Sequence, residues 1–192
     1  MSEPVHIRPR EDRRLALRER VSQQILSAAA HVLAVNGERA SMHDVAAAAG
    51  IARGTLYRYF PSRHTLVDRL CESAAAEAAA RLGASRVDEV DPLEGLERTI
   101  RVFVEIGDAF VVAARERGRP EGAPFDAVVL PPLRAVVERA QAARVVRDDM
   151  SAAWLSESLL GMLVAAASTS SLGKEDLIAS VRRLFLEGAR AR

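Results

Sequence analysis

The chain has a single cysteine, Cys71, in 192 residues, so no intramolecular disulfide framework can form, and a reducing compartment fits best. Its plainest role is that of a small helix-packing residue. Long apolar runs are also missing. The longest near the C-terminus, LLGMLVAAAS at 159–168, is too short for a bilayer and runs into polar STSS. MSEPVHIRPREDRR at the N-terminus holds arginines and acids but no apolar stretch, so a signal peptide is not expected and a cytoplasmic location is. The patterns GxGxxG, GxxxxGK[ST], HExxH and GxSxG do not occur. All four histidines precede residue 65, which leaves the later chain without a histidine base, and no pair of them has a metal-ligand spacing. Neither catalysis, nor a cofactor, nor a metal is therefore expected. Strand signals are lacking too, because Val, Ile and aromatic residues never alternate with polar ones over a strand length.

What remains is a helical pattern. Hydrophobic residues make up 49% of the chain, enough for a buried core in one or two small domains, and they recur at spacings of three and four. Net charge is +1 overall but unevenly spread. Residues 1–70 carry 11 arginines against 7 acids, whereas residues 71–192 carry 16 basic groups against 19 acids. A basic first third is a modest pointer to a polyanion at that end.

The expected elements are as follows. Residues 1–17 read as a flexible basic arm, and its Arg8, Arg10, Arg13 and Arg14 suit a minor groove less well than a plain tail. A first helix spans about 17–35 and stops at Asn36-Gly37. Ser41 with Asp44 matches the capping pattern [ST]-x-x-[DE] and opens a short helix ending at Gly50. A third helix runs from about Ala52 to Phe60 and must end before Pro61. Ser62 caps a longer fourth helix through about Leu82. Asp91 and Pro92 open a long helix over 91–115, apolar nearly all round and hence central. GRPEGAP at 118–124 reads as a loop. A helix over 125–144 follows, kinked or split by Pro131 and Pro132, and then helices at 150–170 and 173–189.

A capped short helix, a glycine turn and a second short helix over 41–60 form the pattern of a helix-turn-helix, whose second helix enters the major groove. Leu56 and Phe60 would face inward with Val45, Ala46 and Ile51. Arg53, Thr55, Tyr57, Arg58 and Tyr59 are left for the outer surface, and Gly54 lets backbone approach closely. Arginine reads guanine as a bidentate donor, threonine can bond a base or touch a thymine methyl, and tyrosine hydroxyls suit phosphates. The competing reading packs Tyr57 or Tyr59 against the first or fourth helix.

The stretches Ala40 to Ala46, Ala49-Gly50-Ile51, Gly54 to Phe60 and Ser62-Arg63 resemble, in order and spacing, the DNA-binding domain of the TetR family of transcriptional regulators. The likeness covers about residues 20–67. It implies an all-α protein with a DNA-binding domain at 18–66 and a ligand-binding and dimerisation domain at 67–192. It also implies that Ser41 meets a phosphate, that Arg53, Gly54, Thr55 and Tyr57 lie on the recognition helix, and that Tyr59 and Arg63 reach the DNA backbone. The family often has Ser or Thr where Ala52 stands, a cap and phosphate contact missing here. It usually has Phe at Leu33 and Lys at Arg63.

The same resemblance implies a homodimer on double-stranded operator DNA, acting as a repressor that a small molecule releases. Its last two helices would pair with those of a second copy. The stripes Leu155, Leu159, Leu163 and Leu177, Val181, Leu184, Phe185, with small residues such as Gly161, Ala165 and Gly188 among them, are the expected interface. An apolar or amphipathic ligand would sit among Phe103, Phe110, Trp154 and Met162, with the Ser158 hydroxyl as polar contact. Close-packed core, and a back-bonded Ser158, are the competing readings. Glu105 and Asp108 would share a face of the central helix as paired carboxylates, or form a polar stripe with Arg101. A different class of function, an all-helical scaffold or an enzyme that uses the helix-turn-helix only as a fold element, stands as the alternative.

Overall fold

The computed structural model describes residues 9–116, 123–169 and 172–189. The described residues are helical and contain no β-strand. The first helix, α1 (Pro9–Asn36), begins eight residues before the expected start. No glycine and no further proline interrupts residues 10–36, and Leu, Ala, Arg and Glu all favour helix. Part of the stretch read as an arm is therefore helical, while residues 1–8 lie outside the described residues. Gly37, at φ +57°, turns the chain into a single 3-10 turn (Gly37–Arg39).

Two short helices, α2 (Met42–Ala48) and α3 (Arg53–Tyr59), then share a small core with α1 and with α4 (Arg63–Ala84). Ile25, Leu26, Ala29, Leu33, Val45, Ala46, Leu56 and Phe60 fill it. Ser62 caps α4 by accepting the Thr65 amide at 3.1 Å, and Thr65 Oγ1 accepts the Ser62 amide at 3.1 Å. Along α4, Leu66, Val67 and Leu70 are buried near its start and Ala74, Ala75, Ala78 and Leu82 farther on. One hydrophobic core thus runs continuously from the first helices into the rest of the chain.

The expected 91–115 helix is two helices, α5 (Pro92–Ile106) and α6 (Asp108–Arg115). They break at Gly107, whose φ of +66° and ψ of −128° lie in a region that residues with a Cβ avoid. By contrast α7 (Ala123–Ala142) runs through Pro131 and Pro132 unsplit. Val129, Leu133, Val136, Val137 and Ala140 are all buried, and packing against α4 and α5 overrides the low propensity of the prolines. Of the expected 118–124 loop, residues 118–122 lie outside the described residues. The last helices are α8 (Ala152–Thr169) and α9 (Lys174–Ala189). Among the described residues no helix is long and apolar enough to cross a membrane.

Candidate nucleic-acid interface

The helix-turn-helix is set by local bonds that the sequence encodes. Ser41 Oγ accepts the Asp44 amide at 3.2 Å, and Asp44 Oδ2 accepts the Ser41 amide at 2.9 Å, a complete capping box. At the other end of α2 the Gly50 amide donates to the Ala47 carbonyl and the Ile51 amide to the Ala46 carbonyl. That is a Schellman motif, and it needs the left-handed φ of +66° that Gly50 supplies. Helix α3 leaves this turn with Leu56 and Phe60 buried. Its other face is open: Arg53, Gly54, Tyr57 and Arg58 are exposed and Thr55 is half-buried. A Cβ on Gly54 would meet nothing within 4 Å, so nothing shields the backbone there from an approaching duplex. Ala52, the N-cap of α3, makes no side-chain cap bond.

Three expected contacts are reshaped by their surroundings. The Ser41 hydroxyl is engaged on both sides, since it also donates to Asp44 Oδ2 at 2.7 Å; a phosphate would meet only its remaining lone pair. Tyr59 is half-buried, with the Arg18 and Arg58 guanidiniums 5.9 and 6.0 Å from its ring centroid, within cation–π range. Arg63 is partly buried and directs Nη2 to the Gly37 carbonyl at 3.4 Å, which ties α4 to the turn after α1. This bond occupies Nη2 of the side chain that the resemblance places on the DNA backbone.

Bonds to Ser41, its hydroxyl first and then its amide, hold the Asp44 carboxyl below the ordinary carboxylate range. A depressed carboxylate stabilises the fold above its unfolded pKa. The contribution fades as the solution is acidified through the lowered value. Ser41→Ala should cost about 1 kcal/mol of stability, and urea unfolding at pH 7 should show it. Below the Asp44 titration the gap between the two proteins should narrow.

Arg18 connects α1 to the DNA-reading helix. Along the same segment Arg13, Arg14 and Arg20 are exposed, so the basic start of α1 extends the positive surface beyond α3. Replacing Arg13 and Arg14 together with glutamine should weaken binding to all duplexes alike and lower the slope of log affinity against log salt by about 2. An unchanged slope would show these arginines stay off the phosphates.

The residues expected to line a ligand pocket do not converge. Phe103 and Phe110 are buried with ring centroids 5.0 Å apart, and Phe125 lies 5.8 Å from Phe110. Trp154 is 57% exposed on α8, Met162 is only half-buried, and Ser158 bonds back to the Trp154 carbonyl at 2.9 Å. The first group packs the core and the second edges the outside. The expected dimer stripes divide similarly. Leu155, Leu159, Leu163, Leu177, Val181 and Phe185 are buried within their own chain, where α8 and α9 pack on each other and on α5. Leu184 alone among them is exposed, at 64%. An apolar stripe on a helix looks the same whether its own chain or a second copy covers it.

Glu105 and Asp108 stand on two different helices, either side of the Gly107 break, and have different partners. Glu105 receives Arg81 of α4 at 3.3 Å, Asp108 faces His31 of α1 at 3.0 Å, and Arg101 pairs with Glu175 of α9 at 2.6 Å. The presumed polar stripe is three ties between helices. The His31–Asp108 tie, with the bond from Arg115 to the Ala34 carbonyl at 2.9 Å, joins α1 to α6. Sequence reasoning missed it, and the only available signal was a glycine inside an otherwise helical pattern. Among the described residues no cluster of His, Cys, Asp and Glu could hold a metal ion.

A buried three-helix base, a glycine-set turn and a second short helix with arginines and tyrosine facing out define a helix-turn-helix DNA-binding protein. The family model of the bacterial regulatory proteins of the tetR family matches residues 25–70, the stretch that holds the helix-turn-helix. The chain is 37% identical over 89 residues to the HTH-type transcriptional repressor LfrR of Mycolicibacterium smegmatis, 46% of this chain but 44% of that protein. It is 26% identical over 168 residues to the HTH-type transcriptional regulator NfxB of Pseudomonas aeruginosa, 82% of this chain and 89% of that one. The solved TetR-like regulator LfrR from Mycobacterium smegmatis, in complex with proflavine, shares the fold, with a TM-score of 0.71 at 22% identity over 92% of this chain and 99% of that one.

Proposed function

We propose that the protein is a cytoplasmic repressor that binds an inverted-repeat operator as a homodimer and is released by a small amphipathic ligand. The observation that carries this reading is the outer face of α3. Arg53, Tyr57 and Arg58 stand exposed there, and neither arginine has an ion-pair partner among the described residues. A single such helix reads only a few base pairs, so a useful affinity requires two of them one helical turn of DNA apart.

The surface that suits a twofold pairing is the outward side of α8 and α9. Trp154, Gly161 and Ala165 are exposed on the first and Leu184 and Gly188 on the second. Added Cβ atoms on Gly161 and Gly188 would meet nothing within the chain. Small residues let helices approach closely, and two helices from each copy would build a four-helix interface. Release by a ligand is supported by the proflavine complex of a similarly folded regulator. Ligand and operator must then favour different arrangements of the two recognition helices.

Selection of tight binders from a randomised duplex library by the full chain tests the reading. The result expected is an inverted repeat with half-sites centred about one helical turn apart, bound less tightly after a small amphipathic ligand is added. A library that yields no enriched sequence would overturn it.

A further inference from the structure

A cleft of about 440 Å³ lies between α1 and α4 and is closed on one side by the α5–α6 junction. It sits at the seam between the DNA-reading helices and the rest of the chain, apart from the buried Phe103–Phe110–Phe125 cluster. Its floor is apolar: Leu26, Ala30 and Leu70 are buried, and Ile106 is half-buried. Its walls are acidic, with Glu77, Glu105 and Asp108 against His31 and a single lysine, Lys174.

The three carboxylates are not equivalent. Arg81 bonds both Glu77 at 2.6 Å and Glu105 at 3.3 Å, one fixed cation shared by two carboxylates. Among the described residues the ion-pair partner of Asp108 is the imidazole of His31, whose side chain is 72% exposed, and with Arg81 and Lys174 the cleft sets two fixed cations against three carboxylates. A neutral or anionic molecule lying on the apolar floor would cover Asp108 and strip its water without supplying a charge, at a cost that disfavours binding. A molecule with one positive charge offsets that cost while its apolar part covers Leu26 and Ile106. The absence of a metal-holding cluster among the described residues directs this to an organic cation.

We propose that this cleft is an effector site for amphipathic organic monocations, with Asp108 as the anchoring anion. The proposal rests on the ligand-released repressor reading and gives it a site and a ligand class. An occupant held by Asp108 competes with His31 and so loosens the α1–α6 tie, while its bulk presses on α1 and α4, the helices that carry α2 and α3. Binding thereby discriminates between arrangements of the DNA-reading helices, as release requires.

The test is calorimetric titration of the intact protein with tetraphenylphosphonium, the neutral triphenylphosphine oxide and the anionic tetraphenylborate. Tetraphenylphosphonium should bind best and should weaken operator binding. Asp108→Asn should weaken it at least tenfold and leave triphenylphosphine oxide unchanged. Asp108→Asn also removes the tie to His31, so His31→Gln serves as the second variant: it breaks the same tie but keeps the carboxylate, and it should retain or tighten cation binding. Equal binding of all three probes, undiminished cation binding in Asp108→Asn, or a loss as large in His31→Gln would each overturn the site. Those results leave operator recognition intact. A wild-type protein that fails to bind any operator yet takes the cation through Asp108 would overturn the repressor reading instead.

Discussion

Replacing Arg53 by alanine lowers affinity for the selected operator by about 1–3 kcal/mol, roughly 5- to 150-fold, and relaxes the preference at one base pair in each half-site. Arg53 is the first residue of α3, is exposed, and stands beside a glycine with open space around it, the place on a recognition helix that comes nearest the base edges. It contributes nothing to the buried core, so the thermal midpoint should not move. Competition binding against a panel of operator variants decides the matter. A uniform weakening across the panel, with base preference intact, would assign Arg53 to a phosphate.

Leu184→Glu should convert the proposed dimer to a monomer and lower operator affinity by at least a hundredfold, because each copy would then hold only one half-site. The effect is read by light scattering together with operator titration. Leu184 is 64% exposed within its own chain, so the glutamate is solvated in the monomer and the fold persists. It is buried, and without a counter-charge, only if a second copy packs on α8 and α9. Leu159→Glu makes an instructive contrast. That side chain is fully buried in its own chain, and the substitution should unfold the protein outright. An intact Leu184→Glu dimer would place the interface on another surface.

These two positions show how far the sequence carried the account. The DNA-reading unit was legible because its signals are local. The Ser41–Asp44 box, the left-handed glycine at Gly50 and the stop before Pro61 each fix a turn through neighbours within a few residues. The surface of the later helices was not legible. Leu159 and Leu184 both belong to apolar stripes, yet one faces its own core and the other faces outward, and nothing in the spacing separates them. Ser158 and Trp154 share an edge of α8, as expected, but the rotation of that helix takes the edge away from Phe103 and Phe110. The break at Gly107 was hidden because alternating apolar faces on both sides continued the pattern through it. Asp108, beyond that break and tied to His31, lies 77 residues along the chain from its partner, a distance over which periodicity says nothing.

The central claim is that two copies of α3 read one inverted repeat. Its most direct test is a stoichiometric titration of a labelled duplex carrying the selected inverted repeat, beside a half-site duplex and a scrambled one of equal length. The account predicts two chains per inverted repeat, an affinity at least a thousandfold above that for the scrambled duplex, and a steep fall with added salt as phosphate contacts give way to counterions. Saturation at one chain per inverted repeat, or equal binding of the scrambled duplex, would contradict it.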